Sequence, residues 1–441
     1  MSRLAAPFSP GASLPRIAYL ESIRGLAAIQ VLLLHLLSAF LPELVASSPS
    51  SMIAATIHAS PLSFLYDGYS AVYVFFCLSG YVLTRSFERK GCSPALQILA
   101  RAVRLGLPAL AATVFAAALM LMFGRANAEA GRILGSAWLS GQWDVDLSVL
   151  SILRDGTLNA LLLGYRDLPA GTLLAPWQTE LSHSFVVPFW TLSIEFQGSI
   201  LILFLCWCAR RSWWLWLAVM IAGTLFTIRS AHVCFFVGHL LASAHYAERP
   251  PSHRRLTATA LVVAGLHCCV LADVWQPGWL IRLCSSETQW LLAGQFAPMQ
   301  QKAYGAMLIL AGVMDLRSWR TVLARPMLVA LSKFSFPLYL VHWPIMCGPA
   351  SAAFVALTAF VDTRLAQLCA IAVGIAASAA ASVVFLTIDR YAVRLSSRFR
   401  RSPVVRPASI LRAHIAGPFP VPAEALATAS DQAERYSHSP G

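Results

Sequence analysis

Long uncharged apolar segments recur along this chain, and several approach or exceed the ~20 residues with which a helix crosses the hydrocarbon core of a bilayer. Of the 441 residues, 58% are hydrophobic and only 12% are charged, against about 25% charged residues in an ordinary soluble domain. These properties predict a membrane protein whose length is taken up by many spans. No separate soluble domain of ordinary size fits between them.

The apolar segments predict an all-α fold, a polytopic membrane helical bundle with about ten transmembrane helices. Their boundaries are uncertain by several residues, because helix ends are the least certain part of such a prediction. We expect helices at 19–41, 66–88, 104–123, 186–208, 213–229, 231–248, 256–274, 301–316, 327–350 and 366–390.

The positions of Lys and Arg give the orientation, because short cytoplasmic loops of membrane proteins collect basic residues. If the N-terminus is cytoplasmic, basic residues fall in every second loop and in the C-terminal tail, and the loop between the first two helices contains none. Adding or removing one central helix would spoil this alternation. We therefore expect both termini in the cytoplasm, with these basic residues on that side: Arg85, Arg89, Lys90, Arg101, Arg210, Arg211, Arg249, Arg254, Arg255, Arg317, Arg320, Arg325, Arg390, Arg394, Arg398, Arg400 and Arg401.

Three regions are expected along the chain. Residues 1–17 form a short cytoplasmic segment without the apolar core and cleavage site of a signal peptide, so the first span is expected to direct insertion. Residues 18–395 form the membrane domain, with a long outer loop of mixed charge at about 124–185. Residues 396–441, rich in Pro, Ala and Ser, are expected to be a disordered cytoplasmic tail.

Composition also argues against two kinds of binding site. The formal net charge of +13 arises from short basic clusters between apolar runs, with no aromatic and basic platform, so topology explains it better than a nucleic-acid partner does. The ten cysteines lie mostly within apolar runs and form no C-x-x-C pair, which favours packing over disulfides. The eleven histidines show no H-E-x-x-H or paired ligand spacing, so no metal site is expected.

The stretch "RGLAAIQVLLLH" places ionisable side chains at both ends of an apolar helix, Arg24 and His35. Eleven residues of helix bring them within about 20° of one face and about 16 Å apart along the axis. We expect both to face one cavity, with Arg24 near the cytoplasm as an anion clamp and His35 deeper as a proton carrier. The alternative is an interfacial anchor and a hydrogen-bonded core histidine.

Three further stretches favour a polar chamber, because ionisable groups inside membrane spans are costly and usually functional. "GYSAVYVFFCLSGYVLTR" places Ser79 in mid-helix and Arg85 at the inner end. "PFWTLSIEFQ" places Glu195 near mid-membrane, where a carboxylate needs a partner or a cavity. "SFPLYLVHWPI" places His342 toward the outer end of its span.

These stretches resemble the acyltransferase-3 family of integral membrane O-acyltransferases. The family's opening signature is similar to "YLESIRGLAAIQVLLLH", and its later motifs are similar, in order, to "VYVFFCLSGY", "RAVRLGLP", "WTLSIEF" and "SFPLYLVHWP". The resemblance extends from about residue 17 to 395. Departures are Glu21, where Asp is commoner, Ile23, where Leu is usual, and a closing element reduced to "IDRY", so that no role is assigned to Asp389.

The resemblance implies transfer of a short acyl group, usually acetyl, from acyl-CoA to a hydroxyl. Acyl-CoA would be a co-substrate, with no permanently bound cofactor and with membrane lipids as surroundings. His35 would be the general base or a proton carrier. The residue that orients its ring is left open, with Glu195 and Ser79 as candidates, and His342 would line the acceptor side or move protons. The resemblance leaves open whether transfer is direct or through an acyl-enzyme. The implied catalytic residues are His35, Glu195 and His342. The implied donor-binding residues are Arg24, Arg85, Arg101 and Arg104. The implied channel residues are Ser79, Trp190 and Tyr339.

The acceptor is left open between a small molecule, a glycolipid and a carbohydrate, with secondary metabolism among the settings that the family serves. The chain contains two asparagines and no N-x-S/T sequon, which favours a small or lipophilic acceptor. The main alternative is a proton-coupled multi-pass transporter, since buried His, Glu and Arg also form proton relays. A receptor or structural role is the third option. The sequence decides neither the oligomeric state nor whether the membrane is the plasma membrane or an endomembrane.

Overall fold

Helices form nearly all of the part of the chain that the computed structural model describes, namely residues 17–46, 51–88, 93–166, 175–244, 255–285 and 296–401. Within these ranges there is no β-strand, and the one bridge of β type joins Tyr165 to Thr179. The prediction of a helical membrane bundle is therefore confirmed. Most of the expected N-terminal segment, the tail beyond residue 401, Arg89, Lys90, Arg249 and Arg254 lie outside the described residues.

The described chain contains α-helices of very different lengths, together with π-helical segments at Arg154–Leu163 and Met346–Ala350. The α-helices are α1 (Ala18–Phe40), α2 (Met52–His58), α3 (Gly68–Phe87), α4 (Pro94–Phe123), α5 (Ala126–Leu134), α6 (Ala137–Ser140), α7 (Val149–Leu153), α8 (Trp190–Arg211), α9 (Trp213–Thr227), α10 (Val233–Ser243), α11 (Arg255–Leu271), α12 (Gly278–Ser285), α13 (Ala297–Asp315), α14 (Arg317–Leu323), α15 (Pro326–Ile345), α16 (Ser351–Leu357) and α17 (Thr363–Arg401).

Each expected membrane helix has a counterpart, but the counterparts differ in length. Six segments of the described chain are long and apolar enough to cross a membrane. Helices α9, α10 and α11 are apolar but shorter, and α13 contains Lys302. The six long segments are Ala18–Phe40, Gly68–Phe87, Pro94–Phe123, Val187–Arg211, Pro326–Leu357 and Thr363–Phe399.

Two helix ends depart from the sequence prediction. Helix α4 begins ten residues before the expected residue 104, because Pro94 occupies its first turn and the Ser93 side chain accepts a hydrogen bond from the Leu96 N–H (3.3 Å). Arg101 therefore lies within a helix and not in a loop. Helix α17 runs through Arg401, so the expectation of a disordered tail is wrong for residues 396–401.

Small residues permit close contact between neighbouring helices. A Cβ atom on Gly238 of α10 would lie 2.1 Å from the carbonyl oxygen of Cys77 in α3, and one on Gly80 would lie 2.6 Å from that of Phe235. The backbones of α3 and α10 therefore touch where only glycine fits, as is common between membrane helices. This contact fixes α3, which carries Ser79, within the bundle.

Helices α1 and α15 run side by side in the same direction, since Gly25 meets Leu331 near their beginnings and His35 meets His342 near their ends. We call the end of the bundle at which α1 and α15 begin the inner end, and the opposite end the outer end. These names follow the orientation expected from the arginines.

The segment between α4 and α8 is an ordered layer of short helices organised around Asp155. This buried carboxylate accepts hydrogen bonds from the Tyr165 hydroxyl (2.7 Å), the Phe185 N–H (3.0 Å) and the Ser184 hydroxyl (3.2 Å). Burial raises the pKa of Asp155, and these hydrogen bonds partly oppose the rise. The described residues of the expected outer loop, 124–166 and 175–185, thus fold around this carboxylate.

Candidate active site

A polar cavity lies toward the inner end, among α1, α3, α4, α8 and α15. Its volume is about 630 Å³, including the open mouth. Five separate helices contribute to its wall, so the cavity exists only in the assembled bundle. Its lining residues are Arg24, Val72, Phe75, Phe76, Ser79, Arg101, Arg104, Leu105, Thr191, Leu192, Glu195, Ser335, Phe336 and Tyr339.

Two arginines of α4 form ion pairs with carboxylates on other helices. Arg101 pairs with Glu195 of α8, and its Nε donates to the Ser199 hydroxyl (2.9 Å). Arg104, one helical turn further along, pairs with Asp389 of α17. These partly buried pairs hold α4 against α8 and α17, and they fix the two guanidinium groups at the cavity wall.

Arg24 is held more loosely than the arginines of α4. Its guanidinium is 3.9 Å from the carboxylate of Glu21, and its side chain is 35% exposed. An ion pair that is this long and this exposed contributes little stability. Arg24 can therefore turn toward an anion in the cavity at small cost.

The lining of this cavity is electropositive. Arg24, Arg101 and Arg104 supply three positive charges and Glu195 one negative charge, which leaves +2 among the lining residues. Counting Asp389 behind Arg104 lowers the sum to +1. Clustered guanidinium groups bind phosphates through charge-assisted hydrogen bonds. The arrangement suits an anionic ligand.

Tyr339 connects the cavity to a pair of histidines. Its hydroxyl donates to the Pro188 carbonyl (3.0 Å) and lies 2.6 Å from the Thr191 hydroxyl, so the ring is fixed against the beginning of α8. On its other side, the centroid of the Tyr339 ring is 5.8 Å from that of His342. One aromatic ring therefore separates the cavity from the histidines.

His342 and His35 form a hydrogen-bonded pair, with 3.0 Å between His342 Nε2 and His35 Nδ1. His342 Nδ1 is 3.1 Å from the Leu338 carbonyl oxygen, which can only accept, so this nitrogen carries a proton. In the neutral ring Nε2 then accepts from the Nδ1–H of His35. This assignment leaves Nε2 of His35 unprotonated, the form that a general base requires.

The surroundings of the two histidines differ. His342 is 1% exposed, whereas His35 is half-buried. Trp343 packs edge-on against His35, with 5.1 Å between the ring centroids, and is itself fully buried. His342 is thus positioned to orient its partner, and His35 is the less buried ring of the pair.

The structure gathers most of the predicted site residues but arranges them differently from the expectation. His35 is not among the residues that line the cavity containing Arg24, so the expected common chamber is divided by the layer of Tyr339 and His342. The sequence offered Glu195 and Ser79 as candidates to orient His35, but in the structure Glu195 pairs with Arg101, and His342 contacts His35. The predicted residues that line the cavity are Arg24, Ser79, Arg101, Arg104, Glu195 and Tyr339.

Two predicted residues lie away from the cavity. Arg85 pairs with Glu88 at 2.9 Å near the end of α3, and Trp190 is buried at the beginning of α8. Neither is among the lining residues.

Sequence reasoning left Asp389 without a role and missed the hydroxyls of Thr191 and Ser199. Asp389 is an acidic residue inside the last predicted span, where a carboxylate needs a cationic partner, so its position was a usable signal. Thr191 and Ser199 give no such signal, since short hydroxyl side chains are common in membrane helices.

Comparison with known proteins gives one match. The family model Acyl_transf_3, described as an acyltransferase domain, matches residues 17–385. No curated protein and no solved structure matches the chain. The matched range contains every predicted site residue, whereas Asp389 lies just beyond its end.

Proposed function

Since the chain belongs to the acyltransferase-3 family and is an integral membrane acyltransferase, we propose that it transfers a short acyl group, usually acetyl, from acyl-CoA to an acceptor hydroxyl. The observation that carries the proposal is the position of the electropositive cavity one aromatic ring away from a hydrogen-bonded histidine pair. The cavity offers a site for the donor's phosphates, and the pair offers a base.

Donor binding is assigned to the inner cavity. The nucleotide end of acyl-CoA carries several phosphate charges, and Arg24 has the most loosely held of the three lining guanidinium groups. Arg101 and Arg104 form the fixed part of the wall through their pairs with Glu195 and Asp389. Arg24 would bind phosphate directly, and the α4 arginines would supply the positive field around it.

The proton steps are assigned to His35. Its Nε2 takes the proton from the acceptor hydroxyl as the oxygen attacks the thioester carbonyl, which forms the new C–O bond. Collapse of the tetrahedral intermediate breaks the C–S bond, and the imidazolium returns the proton to the leaving thiolate. Atoms and charge balance, with an ester and CoA thiol as products. His342 keeps the His35 tautomer fixed throughout, as the orienting member of a catalytic pair.

Family membership favours the enzyme over a proton-coupled transporter, since the matched family model is that of an acyltransferase domain. The histidine pair supports the same choice. Each of its hydrogen bonds fixes one tautomer of one ring, which suits a base that acts on a bound substrate.

Two variants test the proposal in membranes that contain the protein, supplied with acetyl-CoA labelled in the acetyl group. His35→Ala should lower the transfer of label to membrane or soluble products by about 10²–10⁴-fold while CoA binding to the purified protein is unchanged. Arg24→Ala should weaken CoA binding by about tenfold, the effect of one charge-assisted hydrogen bond. Arg125→Ala is the matched control, since Arg125 forms an exposed pair with Asp144 far from the cavity. Retained transfer in His35→Ala would refute the assignment of the base.

A further inference from the structure

A groove, which we call the lateral groove, lies on the side of the bundle among α1, α15 and α17. Its volume is about 880 Å³, including the open mouth. Among the described residues that line it none is ionisable, and the wall consists of apolar side chains, one glycine and two serines. The lateral groove therefore differs in chemistry from the inner cavity, and the proposed donor and proton steps do not use it.

The lateral groove opens toward the bilayer. Only 28% of the membrane-spanning part of α17 is buried within the protein, so most of this helix faces lipid. Two of the groove residues on α17, Ile375 and Val383, are themselves exposed. A molecule in the lateral groove therefore comes from the bilayer and not from the aqueous phase.

The two hydroxyls in the wall are already engaged. The Ser335 hydroxyl donates to the Ser332 carbonyl (2.9 Å). The Ser382 hydroxyl donates to the Ala379 carbonyl (2.7 Å). Both hydrogen atoms are thus used within their own helices, and the rest of the wall is apolar. The ligand chemistry that suits the lateral groove is hydrocarbon, because an apolar wall favours apolar surface.

A contact between α17 and α1 closes the outer end of the lateral groove. A Cβ atom on Gly374 of α17 would lie 2.5 Å from Cδ2 of Leu36, the residue that follows His35. Inward from this contact, the groove residues of α17 run from Ile375 to Val383. At about 1.5 Å per residue they cover about 12 Å. A hydrocarbon chain can lie along this length and end near the helical turn that carries His35.

Two exposed arginines continue the groove face of α17 toward the inner end. Arg390 comes two turns after Val383, which places it about 10 Å further along the axis and within about 20° of the same face. Arg394 follows one turn later on that face. The neighbouring carboxylate, Asp389, points to another side of the helix, where it pairs with Arg104. Two positive charges therefore lie on the same stripe of α17 as the groove.

The separation between the groove and the arginines matches the depth profile of a bilayer. The headgroup region on each side of the hydrocarbon core is about 5–8 Å deep. A chain in the lateral groove lies in the hydrocarbon core, and Arg390, about 10 Å beyond its end, lies among the headgroups. Tyr391 beside it is exposed, as is typical of aromatic residues at this depth. Guanidinium groups bind phosphate, and basic residues at the inner surface attract anionic lipids.

From these observations we infer that the lateral groove binds an anionic phospholipid of the leaflet at the inner end. One acyl chain lies in the groove, and Arg390 and Arg394 bind the phosphate. The groove by itself suits any apolar chain and the arginines by themselves suit any anion. A phospholipid combines both features at this spacing, and the surrounding bilayer supplies it.

The bound chain would contact the segment of α15 that carries the histidine pair. Leu338 lines the lateral groove, and its carbonyl oxygen lies 3.1 Å from His342 Nδ1. Ser335, one turn earlier, lines both the lateral groove and the inner cavity. The phospholipid would thus pack against the wall of the proposed active site. Its binding needs neither acyl-CoA nor an acceptor, so it can be tested apart from the proposed function.

Binding is measured by native mass spectrometry of the full chain, purified in detergent and titrated with palmitoyl-oleoyl phosphatidylglycerol or phosphatidylcholine. Wild type should bind phosphatidylglycerol more tightly than phosphatidylcholine. Arg390→Gln and Arg394→Gln should each weaken phosphatidylglycerol binding by about fivefold, the effect of one arginine near an anionic surface. Arg211→Gln is the matched control, since Arg211 is an exposed arginine at the end of α8, which does not line the groove. It should bind as wild type does.

A second pair of variants tests the chain. Ala379→Trp fills the lateral groove and should weaken the binding of both lipids by about tenfold, the effect of about two CH₂ groups that no longer find an apolar wall. Ala380→Trp is the matched control, because Ala380 is the next residue of α17 and is also exposed but does not line the groove. Glycerophosphoglycerol, the headgroup without chains, should not displace phosphatidylglycerol at equal concentration.

The arginine variants and the groove variant change different parts of the site, so either set keeps the test decisive if the other fails to fold, and size-exclusion chromatography reports folding. Equal binding of phosphatidylglycerol by wild type and both arginine variants would overturn the inference, as would equal binding by Ala379→Trp. Displacement by glycerophosphoglycerol would identify an anion site without a chain and would also overturn it. Selective lipid binding without any acetyl transfer would refute the proposed function alone. Acetyl transfer by a protein that binds both lipids equally would refute the lipid site alone.

Discussion

Substitution of His342 tests the histidine pair most directly. His342→Phe keeps a ring in the buried position but removes the acceptor for the His35 Nδ1–H, which lies 3.0 Å from Nε2. His342→Gln keeps an amide oxygen that can accept from His35 and an amide N–H that can donate to the Leu338 carbonyl. The two variants therefore differ in whether the tautomer of His35 stays fixed.

The expected magnitudes follow from the hydrogen bond that is lost. A buried polar group left without its partner costs about 1–3 kcal/mol. Each 1.36 kcal/mol of transition-state stabilisation changes a rate by about tenfold. His342→Phe should therefore lower kcat by about 5- to 150-fold, and His342→Gln by only a few-fold. Loss of the base itself in His35→Ala should reduce the rate more, by about 10²–10⁴-fold.

The assay is the initial rate of labelled acetyl transfer in membranes, divided by the amount of folded protein measured by size-exclusion chromatography. His239→Gln is the matched control, because His239 is a buried histidine in a separate network with Thr84 (2.8 Å) and Trp216 (2.9 Å). It should lower thermal stability without lowering the rate per folded molecule. If His342→Phe keeps kcat within twofold of wild type, or if His239→Gln loses as much, His342 does not orient the base.

Three further substitutions have expected outcomes that follow from local geometry. Asp389→Ala removes the carboxylate that pairs with Arg104 and should lower the free energy of unfolding by about 1–3 kcal/mol. This is less than the cost at a fully buried pair, because both groups are partly exposed. The double variant with Arg104→Ala should recover part of the loss, measured by thermal unfolding. Gly238→Ala should abolish folded expression, since its Cβ would lie 2.1 Å from a carbonyl oxygen, whereas Gly278→Ala meets nothing nearer than 3.6 Å and should express normally. Asp155→Ala should make the segment between α4 and α8 sensitive to added protease, because four hydrogen-bond donors lose their acceptor.

Each of these three expectations has a clear contrary result. If the double variant loses as much free energy of unfolding as the two single variants lose together, Arg104 and Asp389 do not interact. Normal expression of Gly238→Ala would contradict the backbone contact between α3 and α10. Unchanged proteolysis of Asp155→Ala would show that this carboxylate does not hold the outer segment together.

The sequence predicted the helices and most of the cavity because both depend on local patterns. An apolar run long enough to span a bilayer has few alternatives to a helix, since lipid offers no partner for the backbone. Arg24 and Glu195 were identifiable because a charged side chain in such a run is costly enough to require a function. Arg101 was expected in a loop, and only the family resemblance marked it as a site residue. Once the helix is known, the spacing of Arg101 and Arg104 places them about one turn apart.

Pairings between helices were beyond the sequence, because they depend on which helix faces join. Glu195 was expected beside His35, but α4 packs against α8 and supplies Arg101, a stronger partner for a carboxylate. His342 contacts His35 because α15 runs alongside α1 in the same direction. Neither the sequence of α1 nor that of α15 indicates by itself that these two helices are neighbours. The ion pairs of Lys302 with Asp67 and Asp273 were missed for the same reason, since the three residues come from separate parts of the chain.

The distance along α1 restricts the kind of donor that the site can use. Arg24 and His35 are about 16 Å apart along the helix axis, and the layer of Tyr339 and His342 stands between the inner cavity and the base. A compact donor such as an acyl phosphate, held at Arg24, would leave its carbonyl far from His35. Another kind of donor carries its charge and its thioester at opposite ends of a long flexible arm. Such a donor can be held at Arg24 while its thioester passes between the side chains of that layer and reaches the base. Acyl-CoA has this shape, so the separation that divides the expected chamber is an argument for a nucleotide-linked thioester donor.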